Sequence, residues 1–426
     1  MSFDRLPPLL VRCVAAMTLA ALTVVNAAVA QPARRGDGYP KLFGMNIGAK
    51  NYDSPEYQAA LSRLDVVILA FYPGWKKDRD GSEMRRVVQS LKRLNPSIAS
   101  GQYTVLIEAG EDGKDGKANS DRADKLSRED WWLRRTDGSK VQWTPRYGNW
   151  DVNITDWTRA DASGERYPQW LAKRDAGLFF DRVPDFDIWY FDNVMQRSRA
   201  PAANWKLDGV DRKGDDPEVA AAFRRGMATH WQTARRLYPD KLLIGNADND
   251  LSSPEFRGLL NGAFLEALMG KSWSLEKRGW RTMMERYLAV RANLRAPAIV
   301  AFNVWGAADD YAFFRYAFAS CLLGDGYFSF TDEKRSYGMF PWFDEYDVRI
   351  GKALEPSPDS PWSNGVYRRR YEHAMVLVNP DAEERSVTVE EGWKRLSGTQ
   401  APSVNDGSAA RVVVLPPRGG LLLVKR

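Results

Sequence analysis

Cysteine and histidine are scarce in this 426-residue chain, which has two residues of each. If Cys13 is removed with the apolar N-terminus, Cys321 remains alone and no internal disulfide can form. Cys321 lies in the apolar pattern YAFASCLL, which favours a buried thiol over a nucleophile. The chain has no HExxH and no GxSxG sequence, and His230 falls within a helical pattern, so zinc-dependent and serine-dependent hydrolysis are poorly supported.

Long apolar runs are also absent after the N-terminus, so no segment predicts a membrane-spanning helix. Arg5 and Arg12 precede the apolar run CVAAMTLAALTVV, and AVA at 28–30 supplies small residues at a cleavage position. This order is typical of a secretory signal peptide. We therefore expect residues 1–30 to be removed near Ala30, leaving an exported protein, periplasmic or extracellular, without membrane insertion.

The charge of the chain does not indicate nucleic-acid binding. Lys and Arg number 61 against 55 Asp and Glu, a net charge of +6, and the basic residues are scattered. No basic tract accompanies a nucleic-acid motif, so we expect no nucleic-acid partner. An anionic polysaccharide partner is a weaker alternative. We expect a monomer.

Short apolar runs alternate with helical patterns from residue 41 onward. Eight strands are predicted at 41–48, 66–72, 98–107, 188–194, 242–248, 262–270, 296–305 and 326–331. Helical patterns span 81–94, 167–180, 217–239, 274–294 and 309–323. Strands separated by helices pair in parallel, so the pattern predicts an α/β fold, a closed (β/α)8 TIM barrel. An open doubly wound sheet is the alternative, but no GxGxxG or P-loop sequence opens a helix.

Two regions depart from this alternation. The connection 108–166 between the third and fourth strands contains five tryptophans, which could form a cleft wall or a local core. After the turn-rich stretch at 355–365, strand patterns replace helical ones. We therefore predict a catalytic barrel at 31–354 and a small C-terminal antiparallel β domain, sandwich-like, at 355–426.

Two acidic residues occupy positions near the carboxyl ends of predicted barrel strands, where barrels place their active sites. Asp192 ends the fourth strand on the same face as Ile188 and Tyr190, because side chains alternate with period two. Glu266 interrupts the apolar sixth strand and shares parity with Phe264. Each acid also has a structural alternative. Asp192 with Asn193 could simply begin a turn, and Glu266 could form a salt bridge at the barrel mouth.

Two carboxylates facing one polar, aromatic cleft suit hydrolysis of a glycosidic bond, in which one protonates the leaving oxygen. The apolar neighbours of Glu266 favour a raised pKa and the acid role, which leaves Asp192 as nucleophile or stabiliser. This chemistry requires no metal or organic cofactor. The predicted lining of the sugar site comprises Asn193, Tyr72, Trp75, Asn153, Asp248 and Trp305.

The stretch that contains Asn153 has two interpretations. In WDVNITD (150–156), Asn153 and Asp156 could hydrogen-bond sugar hydroxyls, or Asp156 could cap a turn leading to the next helix. The two interpretations are about equal on sequence alone.

Four features occur together along the barrel and tail: WYFDNV at 189–194, WDVNITD at 150–156, the Glu late in the sixth strand, and the tail sequence VLVNP followed by LPPRGGLLLV. With these features the chain resembles the bacterial hypothetical glycosyl hydrolases, in particular the family numbered fifteen. The resemblance implies a TIM barrel that cleaves carbohydrate, with Asp192 as the acid of the fourth strand. Related barrels place the second carboxylate on strand five or six, so Asp248 is a rival to Glu266.

The predicted function is thus that of a secreted glycoside hydrolase acting on a polysaccharide or oligosaccharide. The alternative is a non-catalytic polysaccharide-binding protein on the same scaffold. The carboxyl separation distinguishes mechanisms, since about 5 to 5.5 Å is typical of retaining enzymes and roughly 6.5 to 9.5 Å of inverting ones.

Overall fold

The computed structural model describes residues 38–46, 52, 54–69, 80–111, 120–247, 250–338 and 340–426. The predicted signal peptide lies outside these residues. The strands are β1 (Phe43–Asn46), β2 (Val66–Leu69), β3 (Ala99–Val105), β4 (Glu108–Gly110), β5 (Asn149–Asp151), β6 (Ile188–Val194), β7 (Leu242–Ala247), β8 (Gly262–Met269), β9 (Ile299–Gly306), β10 (Tyr327–Asp332), β11 (Tyr367–Arg370), β12 (Ala374–Asn379), β13 (Arg385–Thr388), β14 (Trp393–Arg395), β15 (Val412–Leu415) and β16 (Gly419–Lys425).

Eight of these strands form one parallel sheet, in the order β1-β2-β3-β6-β7-β8-β9-β10. Leu42, just before β1, forms a parallel bridge with Phe328 of β10. The Phe328 N–H donates to the carbonyl oxygen of Lys41 over 2.8 Å. The last strand therefore pairs with the start of the first, and the sheet forms a near-closed barrel, as predicted for an α/β chain of this pattern.

Alternation along the strands separates two apolar layers. Ile188, Tyr190 and Phe264 belong to an inner cluster contributed by the barrel strands. Trp189 and Phe191 belong to the larger outer cluster. The inward parity predicted for the fourth barrel strand, β6, is therefore confirmed, and it directs the end of that strand toward the barrel mouth.

The helices are α1 (Pro55–Ser62), α2 (Ser82–Leu94), α3 (Ser120–Arg128), α4 (Tyr167–Asp175), α5 (Pro217–Leu237), α6 (Trp280–Ala289) and α7 (Tyr311–Leu322). The start of α5 has a side-chain cap, since the Asp216 carboxylate accepts from the Glu218 N–H over 2.9 Å and Pro217 follows the cap. The single helical pattern at 274–294 is divided by Gly279, whose φ of 112° lies outside helical geometry. The short helix α6 results, flanked by 3₁₀ turns at Leu275–Arg278 and Val290–Asn293.

The connection between β3 and β6 serves both roles considered for it. Trp131 and Trp132 are buried in the core. Trp143 instead lines the cleft described below. The antiparallel pair β4–β5 belongs to the same connection and aligns Glu108 with Asp151.

The C-terminal part contains antiparallel sheets, as predicted. Strands β11, β12, β16 and β14 form a four-stranded sheet, and β13 pairs with β15. Leu377 and Leu423 of the first sheet share one apolar cluster with Val387 and Val413 of the second. Helix α7 lies so close to β16 that a Cβ on Gly420 would be 2.3 Å from the Arg315 carbonyl oxygen. The division at 354/355 stays a prediction.

Across the described ranges, the helices are all too short or too polar to cross a lipid bilayer.

Candidate active site

A cleft of about 1610 Å³ lies at the carboxyl ends of the barrel strands. Asp192 of β6 and Glu266 of β8 both line it. Each follows an inner-layer residue at spacing two, Tyr190 in β6 and Phe264 in β8. The strand pattern thus brings the two predicted acids to one cavity.

A single amide nitrogen connects the two acids. Asn246, on the intervening strand β7, donates from Nδ2 to Asp192 Oδ1 over 2.9 Å and to Glu266 Oε2 over 2.9 Å. An amide nitrogen carries two hydrogens, so one group can serve both carboxylates. The bridge orients one oxygen of each acid toward the same space.

The other oxygen of each acid accepts from a tyrosine. The Tyr103 hydroxyl donates to Asp192 Oδ2, and the Tyr337 hydroxyl donates to Glu266 Oε1. Burial and the adjacent carboxylates raise the pKa of both phenols well above the usual value, so both remain donors at physiological pH. Each carboxylate is therefore held at both of its oxygens.

The backbone is irregular directly beside both acids. Register shifts occur in β6 between Phe191 and Val194 and in β8 between Leu265 and Met269. Asn193 and Ala267 follow the acids with φ values of 57° and 49°. Such left-handed residues cost free energy unless the surroundings enforce them, and bulges commonly redirect side chains near active sites.

The buried amide of Asn303 compensates for one of these irregularities. Its Oδ1 accepts from the Ala267 N–H over 3.0 Å, and its Nδ2 donates to Ser329 Oγ at 3.1 Å and Thr331 Oγ1 at 3.0 Å. The bulge next to Glu266 is therefore stabilised by neighbouring strands β9 and β10.

The two acids differ in their electrostatic surroundings. Burial raises the pKa of Glu266, with a smaller contribution from the charge of Asp192, while the bonds from Tyr337 and Asn246 oppose that rise. Asp192 accepts from Tyr103 and Asn246 and, more weakly, from Asn193 Nδ2 at 3.4 Å.

A second pair of carboxyl groups lies on the β4–β5 hairpin. Glu108 accepts from Trp143 Nε1 over 2.7 Å, and Asp151 accepts from the Trp143 N–H over 2.7 Å. Burial and the charge of Glu108 raise the pKa of Asp151 to about 7. Glu108 also lines the cleft, so this pair adjoins the first.

No group of three or more His, Cys, Asp or Glu side chains that could hold a metal ion occurs among the residues that the structure describes.

The family model of hypothetical glycosyl hydrolase family 15 matches residues 92–375, most of the barrel and the start of the tail. The chain belongs to hypothetical glycosyl hydrolase family 15. The resemblance inferred from the sequence motifs is thereby confirmed. No curated protein sequence matches this family 15 member.

Solved structures similar to the family 15 member include the following two. The glycoside hydrolase domain of PelA from Pseudomonas aeruginosa is 17% identical with a TM-score of 0.42, and the match covers 68% of this chain and 95% of that chain. Amy13B from Eubacterium rectale is 11% identical with a TM-score of 0.48, covering 91% of this chain and 97% of that chain.

The other predicted site residues of the family 15 member fall into three groups. Asn193 and Trp305 line the cleft with the two acids. Asn153 is instead buried away from the cleft lining, where its Nδ2 donates to the Trp205 carbonyl over 2.8 Å and its Oδ1 accepts from Thr155. Tyr72, Trp75 and Asp248 lie outside the described residues.

Three further predictions concern His230, Cys321 and Asp156. His230 is buried in α5, where its Nδ1–H donates to the Pro168 carbonyl over 2.9 Å, and burial lowers its pKa to about 4. Cys321 is buried in α7, and burial raises the pKa of its thiol. Asp156 forms an exposed ion pair with Arg225 at 3.1 Å.

Sequence reasoning gave no role to Tyr103, Tyr337 or Asn246. Asn246 and Tyr103 were detectable, because each lies near the carboxyl end of a predicted barrel strand. Tyr337 follows β10 in a segment without periodicity, so no sequence signal connects it with Glu266.

Proposed function

We propose that the protein is a retaining glycoside hydrolase that cleaves a polysaccharide or oligosaccharide, with Asp192 as nucleophile and Glu266 as general acid and base. Membership of a glycosyl hydrolase family supports the reaction class. The observation that carries the mechanism is the amide of Asn246, which bonds to one oxygen of each acid.

This bridge limits the separation of the acids. The Asn246 Nδ2 atom donates both hydrogen bonds, each with a nitrogen–oxygen distance of 2.9 Å. The two N–H bonds of an amide group are roughly 120° apart. The two accepting oxygens are therefore roughly 5 Å apart, which supports the spacing of retaining enzymes, about 5 to 5.5 Å, over the wider spacing of inverting ones.

In the first step, Glu266 transfers a proton from Oε2 to the glycosidic oxygen as the bond from that oxygen to the anomeric carbon breaks. Asp192 Oδ1 attacks the anomeric carbon from the other side and forms a covalent glycosyl ester. In the second step, ionised Glu266 removes a proton from water, the hydroxide attacks the anomeric carbon, and the ester bond to Asp192 breaks. Both acids return to their starting protonation states.

The assignment of roles follows from the surroundings of each acid. The general acid must hold a proton, and burial raises the pKa of Glu266 in that direction. Asp192 then takes the part of the nucleophile, and its two oxygens are positioned by Tyr103 and Asn246. Tyr103, Tyr337 and Asn246 act as positioning residues.

The sugar site would be lined by Asn193 and Trp305, together with Tyr72, Trp75 and Asp248 from the sequence prediction. Asp248 remains the rival for the second acid. Asn153 is left out of the proposed site, because both ends of its amide are engaged inside the protein. The protein would act after export and cleavage near Ala30, as a monomer without a metal or organic cofactor.

Release of reducing ends from a panel of polysaccharides tests this proposal. The wild type should release reducing ends from at least one polymer, while Asp192→Asn and Glu266→Gln should lose that release. Asp359→Asn and Glu384→Gln, which alter exposed acids of the tail, serve as matched controls. Equal release of reducing ends by the active-site variants and the wild type would contradict the proposal. Binding of a polymer without release from any polymer would favour the non-catalytic binding protein.

A further inference from the structure

The segment 271–286, which follows β8, contributes three cationic side chains and no acidic one to the described lining of the cleft: Lys271, Arg278 and Arg286. Four more cationic residues line other parts of the cleft: Arg122, Arg146, Arg197 and Arg199. The six acidic residues of the lining come from other segments of the chain: Glu108, Asp175, Asp192, Asp250, Glu266 and Glu333.

These cations are mostly uncompensated. In the described ranges no carboxylate lies within salt-bridge distance of Arg197, Lys271, Arg278 or Arg286. The like charges of Lys271, Arg278 and Arg286 repel each other and favour a positive potential at the part of the cleft that the segment 271–286 lines. An anionic ligand would relieve that repulsion.

The position of Lys271 relates this charge to the proposed scissile bond. A Cβ on Gly270, whose φ is 98°, would lie 1.6 Å from the Trp305 carbonyl oxygen, so the chain passes tightly beside β9. The Lys271 N–H then donates to Ser274 Oγ over 2.7 Å. These constraints fix the loop that carries the side chain.

The Lys271 ammonium lies 4.0 Å from the centroid of the Trp305 ring. The Trp305 ring in turn meets Tyr337 edge-on at 5.1 Å, and Tyr337 donates to Glu266. A fixed positive charge is therefore two aromatic rings away from the proposed general acid.

We propose that the cleft binds an anionic glycan, whose sugars carry carboxylate or sulfate groups. Lys271 contacts the anionic group of the sugar next to the scissile bond, and Arg278 and Arg286 contact anionic groups farther along the chain. The location of the scissile bond rests on the proposed glycosidase function, whereas the preference for anionic glycans rests on the cationic residues that line the cleft.

Binding to a hydrolytically impaired protein separates the two proposals. Glu266→Gln is titrated by calorimetry with four oligosaccharides of equal length: an oligouronate, a sulfated neutral oligomer, the unmodified neutral oligomer and an amino-sugar oligomer. We expect an anionic probe to bind about tenfold or more tightly than the neutral one, and the carboxylated and sulfated probes identify the anionic group. Raising the NaCl concentration should weaken only the anionic complexes.

Arg278→Gln and Arg286→Gln, combined in the Glu266→Gln background, sharpen the test. The dissociation constant for the anionic probe should rise about tenfold or more, while that for the neutral probe stays unchanged. Lys277→Gln is the matched control, because Lys277 neighbours Arg278, does not line the cleft and pairs with Glu276 at 3.5 Å. Its effect should be less than twofold.

Each outcome bears on one proposal. Tighter binding of the neutral or amino-sugar probe overturns the anionic preference, and cleavage of that polymer by the wild type would leave the glycosidase proposal standing. Selective anionic binding with no hydrolysis of any anionic or other polymer supports the preference and contradicts the glycosidase. An equal loss in Lys277→Gln would mean that general surface charge, and not the cationic residues that line the cleft, attracts the glycan.

Discussion

Two pairs of carboxyl groups adjoin one cleft, and they are held in different ways. Asp192 and Glu266 project from strands separated by β7, and the amide of Asn246 lies between them. Glu108 and Asp151 face each other directly on the antiparallel strands β4 and β5. In the first pair each acid has its own tyrosine donor, whereas Trp143 supplies a donor to each acid of the second.

We infer that the two pairs differ in role because different donors hold them, although both adjoin the cleft. In the hairpin pair, burial and the charge of Glu108 raise the pKa of Asp151 to about 7. The bridged pair instead keeps one oxygen of each acid directed toward a common space. We therefore assign chemistry to the bridged pair and loop positioning to the hairpin pair.

The largest effect should come from removing the charge of either bridged acid. Asp192→Asn and Glu266→Gln should each lower kcat by about a thousandfold or more, because these groups act on bonds that change in the transition state. Steady-state kinetics on the cleaved polymer measures this loss. Glu108→Gln, which neutralises an acid of the hairpin pair, should retain far more activity, and a comparable loss would break the distinction between the pairs.

A smaller effect is expected when the bridge is removed. Asn246→Ala leaves both acids ionisable but no longer oriented, so kcat should fall by about a hundredfold with little change in substrate binding. Kinetics and binding of an intact oligosaccharide give the two quantities. Asn293→Ala, which alters a half-buried amide of the β8–β9 connection outside the cleft lining, provides the control. An unchanged kcat in Asn246→Ala would argue against the bridge.

Tyr337→Phe should shift the pH profile of kcat/KM and lower kcat only modestly. The Tyr337 hydroxyl lowers the pKa of Glu266, so its removal should raise that pKa further. Glu266 must be protonated for the first step, and activity falls as pH rises through its pKa. The alkaline limb of the kcat/KM profile should therefore move to higher pH, and a shift to lower pH would contradict the assignment.

Asp151→Asn should affect stability while leaving turnover within about tenfold. The folded protein binds a proton at Asp151 more tightly than the unfolded chain, because the pKa is raised from 3.8 to about 7. The free energy of unfolding therefore decreases as pH rises between these values, by an amount on the order of 2 to 4 kcal/mol. Asp151→Asn should reduce this decrease.

Thermal or urea unfolding at pH 5 and pH 8 checks the Asp151 prediction. The variant should gain stability over the wild type at pH 8 and much less at pH 5, since Asn retains an acceptor for the Trp143 N–H. Asp359→Asn should follow the wild type at both pH values. A loss of stability at pH 8 would show that the ionised carboxylate contributes favourably.

The positions of the two acids were accessible from the sequence because strand alternation is a local property. Residues at spacing two from Tyr190 and Phe264 had to share their face, and barrel strands end at a common mouth. The bulges after Asp192 and Glu266 were not predictable, since register shifts depend on neighbouring strands.

Other features depended on contacts distant in sequence. The sequence around Asn153 looks the same whether the residue binds a sugar or forms a turn. In the structure the Asn153 amide donates a hydrogen bond to the Trp205 carbonyl, 52 residues away. Tyr337 reaches Glu266 across 71 residues. The break at Gly279 interrupts a pattern whose apolar spacing alone predicted one continuous helix.

The anomeric configuration of the first product tests the central claim most directly. Proton NMR during the first minutes of hydrolysis, before the free sugar equilibrates, distinguishes the two anomers. The bridged spacing of Asp192 and Glu266 predicts that the product keeps the configuration of the substrate. An inverted product would contradict the assignment of Asp192 as nucleophile and of these two acids as a retaining pair.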